Sequence, residues 1–250
     1  WTDADQQLTI PQTALQSYNQ FRWFNGTTNE VMRLANKTPG DNTTVSLWVF
    51  LDNDGTTRGI FDWLNWTVSN FRIIATSDNK LKIQVQSGVN TDYPTGGTAA
   101  TWGTKGEWRH IVAVVPKATS TTGYIYNNGE GESFTTSTTM VLAPRDIHLA
   151  YGGGLTEQQM VGSMTDVAIF NTLLTQAEVN ELYNDGKGLD ATTHSQESNL
   201  SYYWRNNGLS TWTNLDNPGT DDISIHGSFS GTSETMLITA GADASRDSQG

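Results

Sequence analysis

The chain has 250 residues and a mass of 27.4 kDa, enough for one large domain or two small ones with a substantial buried core. It contains no cysteine, which excludes disulfide scaffolds, thiolate zinc sites, iron–sulfur clusters and cysteine nucleophiles. Fourteen Lys and Arg against 26 Asp and Glu give a formal net charge of -12, which argues against a nucleic-acid partner. No apolar run approaches the length that membrane insertion requires.

The composition favours sheets over helices. Thr, Ser and Asn together make up 75 residues, while charged residues account for only 16%. Nine Trp, eight Tyr and eight Phe provide an aromatic content that antiparallel sheets readily bury. We therefore expect an extracellular or particle-surface all-β protein. Because the chain opens at Trp1 without an initiator Met, we also expect it to be processed or part of something longer.

Period-two segments separated by turn residues recur along the chain. Residues 45–51 are apolar on both faces, which predicts a central strand, whereas 80–86 alternate apolar and polar residues, as in a strand with one wet face. Further strands are predicted at 58–64, 71–76, 108–116, 123–127, 146–151, 163–170 and 201–205. This pattern predicts an antiparallel β-sandwich.

One segment has helical spacing. Thr175 and Glu178 form a capping box, Val179 and Leu182 follow on one face, and Gly186 is a suitable stop. One short α-helix is therefore predicted near 175–185. The polar segment 185–198 is interpreted as a linker. We expect a single domain over 1–240 whose C-terminal strands return to the sandwich, and a tail or linker over 241–250.

The order of these elements identifies a family. The succession Val45–Val49, Gly106–Val112, Tyr124–Gly129, Gly162–Asn171 and Leu174–Tyr183 resembles laminin-G-like jelly rolls of the concanavalin A-like lectin/glucanase superfamily, over roughly residues 20–186. The stretch from Tyr203 to Gly208, through Trp212 to Gly231 and on to Asp247, is similar to the sequel of such a domain in structural proteins of marine bacteriophages. That second resemblance implies a virion fibre, knob or capsid decoration.

The sequence offers little for catalysis. Glucanases on this fold place paired carboxylates at alternate positions of one strand, and Asp62 is the only acidic residue in 59–66. The four histidines, His110, His148, His194 and His226, show no metal-ligand spacing. We therefore predict that the protein is not an enzyme.

The resemblance implies a structural calcium. Asp166 matches the aspartate with which some related jelly rolls hold this ion, and main-chain oxygens near Phe24 would complete the site. The alternative is that Asp166 is a capping or turn-bonding residue.

Glycan binding requires exposed aromatic faces beside polar groups. Trp63 and Trp66 point to opposite faces of their strand, so one belongs to the core and the other is a surface candidate. Tyr93 and Trp102 lie in a long Thr- and Gly-rich loop, with Asp92 and Asn90 nearby as polar partners. For each aromatic residue, burial or an intersubunit contact is the alternative.

The predicted function is a non-enzymatic module on the surface of a phage virion. Its predicted partners are host-surface glycans or other virion subunits, in a homo-oligomer within a larger assembly. The alternatives are a secreted carbohydrate-binding module, a polysaccharide-active enzyme domain such as a lyase, and a purely structural assembly protein.

Overall fold

The computed structural model describes residues 23–26, 31–52, 56–63, 70–86, 90–93, 106–151 and 159–226. These residues form fifteen strands, one α-helix and three short 3₁₀ turns. The strands are β1 (Trp23–Asn25), β2 (Val31–Lys37), β3 (Asn42–Leu51), β4 (Arg58–Asp62), β5 (Phe71–Ala75), β6 (Leu81–Gln86), β7 (Asn90–Tyr93), β8 (Trp108–Pro116), β9 (Thr122–Asn127), β10 (Glu130–Thr135), β11 (Arg145–Leu149), β12 (Val161–Phe170), β13 (Leu200–Trp204), β14 (Thr211–Trp212) and β15 (Ile223–His226). The helix is α1 (Gln176–Tyr183), and the turns are Asn184–Gly186, Ala191–Thr193 and Glu197–Asn199.

The strands form two antiparallel sheets, which confirms the predicted all-β sandwich with one short helix. Sheet A has the order β1-β12-β3-β8-β9-β10, and β13 also pairs with β12. Sheet B has the order β14-β15-β2-β11-β4-β5-β6-β7. Among the described residues, no helix has the length and apolar character needed to span a membrane.

The main core lies between the sheets. Val45, Leu47, Val49 and Leu51 of β3 face inward and are fully buried, in one cluster with Phe61 and other apolar residues of sheet B. Each of these residues alternates with one that points to the other side of its sheet. Strand β3 is flanked by β12 and β8, so the predicted central strand is confirmed.

The outer face of sheet A is covered by α1 and the segment after it. Val179 and Leu182 pack in a second apolar cluster with Val112, Phe170 and neighbouring residues. This cover explains why β3 is apolar on both faces. The prediction that 185–198 is a linker is wrong, because this segment folds into 3₁₀ turns that bury Ala191 and His194.

Both ends of α1 have a local cause. Thr175 and Glu178 form the predicted capping box, with Glu178 Oε2 accepting from the Thr175 amide at 2.7 Å. The C-terminal stop is Asn184 rather than Gly186: Asn184 adopts a left-handed conformation (φ 47°), and its side-chain amide donates to the Gly188 carbonyl. Asn tolerates this region because its short polar side chain bonds locally.

Removing the cap tests the contribution of α1 to stability. Thr175→Ala is expected to lower the free energy of unfolding by about 1 kcal/mol, because it leaves the Glu178 amide without its side-chain acceptor. Urea unfolding measures this change. Thr175→Ser keeps the hydroxyl and should stay near the wild-type value; an equal loss in both variants would contradict the capping explanation.

Candidate functional site

A row of polar residues crosses the outer face of sheet B. Its members lie opposite one another on seven consecutive strands: Ser224, Arg33, His148, Asp62, Arg72, Gln84 and Asp92. Their strand neighbours Met32, Leu149 and Ile73 belong to the core, so the row occupies the alternate, outward positions. Adjacent strands lie about 4.8 Å apart, so the row spans about 29 Å. We call it the polar row.

The centre of the polar row is buried. Asp62 is 2% exposed and Arg72 is 3% exposed. Arg72 Nε donates to Gln84 Oε1 at 2.6 Å, which fixes the guanidinium along the row. Charged groups are seldom buried to this extent unless they are paired and hydrogen-bonded, so this centre is an ordered polar patch on the sheet.

One end of the polar row is more accessible and carries aromatic rings. We call it the histidine cluster: Arg33, Asp146, His148, Tyr151 and His226. The side chains of Arg33 and Asp146 are 34% and 29% exposed. The rings of His148 and Tyr151 lie 4.9 Å apart, and those of His148 and His226 lie 6.5 Å apart. The structure thus brings together two histidines that are 78 positions apart in the sequence (226 − 148).

Arg33 organises the histidine cluster. Its Nε donates to Asp146 Oδ2 at 2.7 Å, and its Nη1 donates to His226 Nδ1 at 3.0 Å. Since arginine has no acceptor, Nδ1 of His226 must be the accepting nitrogen. Asp146 also accepts from the Asn36 amide at 2.9 Å. The guanidinium and carboxylate are therefore held in fixed positions, with exposed surface on both.

The charge state of the histidine cluster follows from burial and from these contacts. Burial lowers the pKa of His148 to about 4, although the nearby Asp146 charge opposes the shift. Burial acts to raise the pKa of Asp146, but its bonds to the Asn36 amide and to Arg33 outweigh this, and the net pKa is lowered. At neutral pH, His148 is uncharged and Asp146 is ionised.

The described residues of the histidine cluster do not have the arrangement of a metal centre. Within the described ranges, no group of three or more His, Asp or Glu side chains is arranged to hold a metal ion. The cluster instead offers hydrogen-bond donors, acceptors and ring faces, which suit a neutral polar ligand such as a sugar.

The predicted glycan-binding residues have different outcomes. Trp63 is 1% exposed, and its Nε1 donates to the Lys37 carbonyl at 3.0 Å, so its prediction as a surface residue is wrong and it is the core member of the Trp63/Trp66 pair. Trp66 and Trp102 lie outside the described residues. On β7, Asp92 is opposite Gln84 and so extends the polar row, Asn90 is opposite Gln86, and Tyr93 is opposite the core residue Ile83.

Asp166 does not fit the predicted calcium site. It lies on the outer side of sheet A, 5% exposed, where its Oδ1 accepts from Arg205 Nε at 2.8 Å and from Tyr203 Oη at 2.5 Å. A guanidinium already bonded to this oxygen repels a divalent cation that would need the same atom. The alternative, that Asp166 is a capping or turn-bonding residue, stays a prediction; its backbone adopts a left-handed φ of 49°.

A polar pocket beneath α1 is too small to accept a ligand. His110, Ser46, Asp166 and Tyr203 line it together with apolar residues, and its accessible interior is about the size of one water molecule. His110 is 1% exposed and its Nε2 lies 2.8 Å from Ser46 Oγ. This pair is part of the packing between sheet A and α1.

Sequence reasoning missed the residues of the polar row other than Asp92. The available signal was the alternation of apolar with polar residues in Met32–Leu34, Ile147–Leu149 and Ile223–Ile225, where the central residue of each triplet faces outward. The alternation identifies a wet face. It does not reveal that these three short strands are neighbours.

Comparisons with known proteins agree with this architecture. A laminin G family model, described as "Concanavalin A-like lectin/glucanases superfamily", matches residues 24–180. No curated protein sequence matches the chain. Strands β13 to β15 lie beyond the matched segment but pair within both sheets.

Several solved structures are similar. A proposed carbohydrate binding protein from Bacteroides ovatus is 14% identical with a TM-score of 0.54, over 82% of this chain and 57% of that one. The extracellular region of zebrafish Gpr126/Adgrg6 is 15% identical with a TM-score of 0.54, over 82% of this chain and 26% of that one. Domain 4 of the arabinanase AbnA from Geobacillus stearothermophilus, in complex with arabinotriose, is 20% identical with a TM-score of 0.48, over 64% of this chain and 74% of that domain.

Proposed function

We propose that this chain, which belongs to the concanavalin A-like lectin/glucanases superfamily, binds carbohydrate on the outer face of sheet B. The single observation that carries the proposal is the histidine cluster at the accessible end of the polar row, where an arginine, a carboxylate and two imidazoles from three strands lie together. A similar fold in a proposed carbohydrate binding protein from Bacteroides ovatus supports it. Because fold alone does not assign function, the chemistry of the face must itself suit a sugar.

The histidine cluster has the groups that a sugar requires. Sugar hydroxyls both donate and accept hydrogen bonds, and the Arg33–Asp146 pair presents donors and acceptors in fixed positions. The ring nitrogens of His148 have no hydrogen-bond partner among the described residues, so they can bond to a ligand. The neighbouring Tyr151 ring adds an apolar face for the C–H surface of a sugar ring.

The ligand must bind at the accessible end of the polar row, because Asp62 and Arg72 at its centre are buried. The histidine cluster is therefore expected to contact one short stretch of a glycan. Each contact would be weak. Display of several copies on one particle would then provide the avidity that a single shallow face lacks.

Substitutions in the histidine cluster test the proposal. A glycan array identifies a ligand, and titration calorimetry then compares wild type with Arg33→Ala and His148→Ala. Each variant is expected to bind at least about tenfold more weakly, because a hydrogen bond to a charged group contributes about 1.5–3 kcal/mol.

Arg109→Ala is the matched control for Arg33→Ala. Arg109 is also a strand arginine paired with one carboxylate, that of Glu107 at 2.9 Å, but it lies in sheet A. Binding should be unchanged in this variant. Equal losses in Arg109→Ala and Arg33→Ala, or an array that stays blank, would count against sheet B as the binding face.

A second candidate function is cleavage of a uronate-containing polysaccharide by β-elimination. His148 favours it, since this uncharged base lies close to Tyr151 and is opposite Arg33 in the sheet. The base would remove the proton next to the carboxylate, the bond to the departing sugar oxygen would break as a carbon–carbon double bond forms, and that oxygen would take up a proton. Release of ultraviolet-absorbing unsaturated sugars, abolished in His148→Ala, distinguishes this reaction from binding alone.

The finer prediction, display on the exterior of a phage virion, belongs to the same proposal. A low charge density with many Thr, Ser and Asn suits a hydrated outer surface. Immunogold labelling of intact particles tests the location, and mass photometry of the purified chain tests the predicted homo-oligomer. Labelling confined to disrupted particles would contradict surface display.

A further inference from the structure

We propose that Arg205 supplies the positive charge at Asp166 that a bound calcium ion would otherwise supply, so that this chain is independent of divalent ions at this position. The Arg205 Nε lies 2.8 Å from Asp166 Oδ1. Calcium would have to approach a carboxylate oxygen to 2.3–2.6 Å, so the guanidinium and the ion compete for one place.

A β-bulge explains why Asp166 points toward Arg205. In the pairing of β12 with β3, Thr165 is opposite Trp48 and Ala168 is opposite Ser46, so two residues of β12 face one residue of β3. Asp166 occupies this bulge with φ 49°. The bulge directs its carboxylate to the outer side of sheet A, where Tyr203 of β13 and the following Arg205 lie.

Two consecutive hydrogen bonds link Arg205 to Asp166 through Tyr203. Arg205 Nη2 donates to Tyr203 Oη, and Tyr203 Oη donates to Asp166 Oδ1 at 2.5 Å. The same Nη2 lies 3.2 Å from Asp190 Oδ2, so one guanidinium bridges two carboxylates. Asp190 Oδ1 also accepts from the Thr192 amide at 3.0 Å and so caps the 3₁₀ turn Ala191–Thr193.

Arg205 and Asp166 are both buried, so breaking their ion pair should have a large effect on stability. Side-chain exposure is 7% for Arg205 and 4% for Asp166, whereas Asp190 is 38% exposed. Burial acts to lower the pKa of Arg205, but the charge of Asp166 and the hydrogen bonds to Asp166 and Tyr203 outweigh it, and the pKa is raised. Removing one member of a buried ion pair leaves the other charge uncompensated, which is far more destabilising than removing an exposed pair.

The contacts of Arg205 connect three parts of the chain. Asp166 belongs to β12, Asp190 to the segment that covers sheet A, and Arg205 directly follows β13. The Arg205 side chain therefore attaches the segment after α1, and strand β13, to strand β12 of the jelly roll.

Thermal unfolding with chelator and with added calcium tests the proposal. The wild-type Tm is expected to be the same in both conditions. Arg205→Ala is expected to have a lower Tm with chelator, and added calcium should raise that Tm by several degrees, because the ion can then neutralise Asp166 and Asp190. The double variant Arg205→Ala/Asp166→Asn should lose this response to calcium.

Two results would overturn the proposal. One is a chelator effect in wild type that disappears in Asp166→Asn, since the ion would then bind at Asp166 beside Arg205. The other is an Arg205→Ala protein whose Tm does not respond to calcium. Arg109→Ala, which breaks an exposed ion pair, controls for non-specific effects of calcium. If Arg205→Ala does not fold without calcium, its refolding yield with and without the ion gives the same comparison.

Discussion

Lowering the pH from 7 to 4 is expected to remove about 3 kcal/mol from the free energy of unfolding through His110 alone. The His110 ring on β8 packs against the rings of Trp48 and Tyr183, whose centres lie 5.2 and 5.9 Å from its own. Burial lowers its pKa from 6.5 to about 3. Between these values the unfolded chain binds a proton that the folded chain rejects, so this stability is present above pH 6.5 and is lost as the pH falls toward 3.

Urea unfolding of wild type and His110→Gln at pH 7 and pH 4 measures this effect. The Gln variant should be less stable at pH 7, because it does not fill the same space, but it should lose about 3 kcal/mol less on acidification. Ser46→Ala is the control: it removes the hydroxyl beside His110 Nε2 but keeps the titrating ring, so its pH dependence should resemble that of wild type. Parallel pH profiles for wild type and His110→Gln would show that the imidazole is accessible to protons in the folded state.

Trp63→Ala is expected to destabilise the protein by about 3–5 kcal/mol, the usual loss when a large aromatic side chain is removed from a packed core. The Trp63 ring lies 6.3 Å from those of both Phe61 and Phe71, and its indole N–H donates to the Lys37 carbonyl. Thermal or urea unfolding measures the loss. Glycan affinity, measured on the folded fraction, should be unchanged because the side chain points away from the polar row.

Two variants sharpen this test. Trp63→Phe keeps a ring in the core but leaves the Lys37 carbonyl without its donor, so its loss should be about 1–3 kcal/mol. Tyr124→Ala removes an aromatic ring that is 36% exposed on sheet A and should have a much smaller effect. A stable Trp63→Ala protein with impaired glycan binding would contradict this expectation and show that Trp63 belongs to the binding surface.

Much of the fold was predictable because its signals are local. The alternation in residues 45–51 identified β3, and the Thr175–Glu178 capping box identified α1. Other elements carry weaker signals. Strand β2 contains Asn36 in a left-handed conformation. The 3₁₀ turns after α1 have no hydrophobic period, so the sequence of 185–198 resembles that of a linker.

The candidate site was much less predictable, since it depends on which strands are neighbours. Arg33 lies between His148 and Ser224 in the sheet, although these residues are far apart in the sequence. Trp63 shows a related limit. Alternation placed Trp63 and Trp66 on opposite faces, but with a tryptophan on each face it could not show which one is buried. The calcium prediction for Asp166 takes no account of Arg205, because Arg205 lies in a segment that the family resemblance to laminin-G-like jelly rolls does not cover.

The position of β15 has a consequence for how the protein is made. Strand β15 (Ile223–His226) pairs with β2 (Val31–Lys37). The strand pairing of sheet B therefore cannot be completed until the end of the described chain has left the ribosome. Until then the free edge of β2 can pair with other nascent chains. We expect the protein to fold late and slowly after translation, and C-terminal truncations before β15 to aggregate rather than to yield a smaller soluble domain.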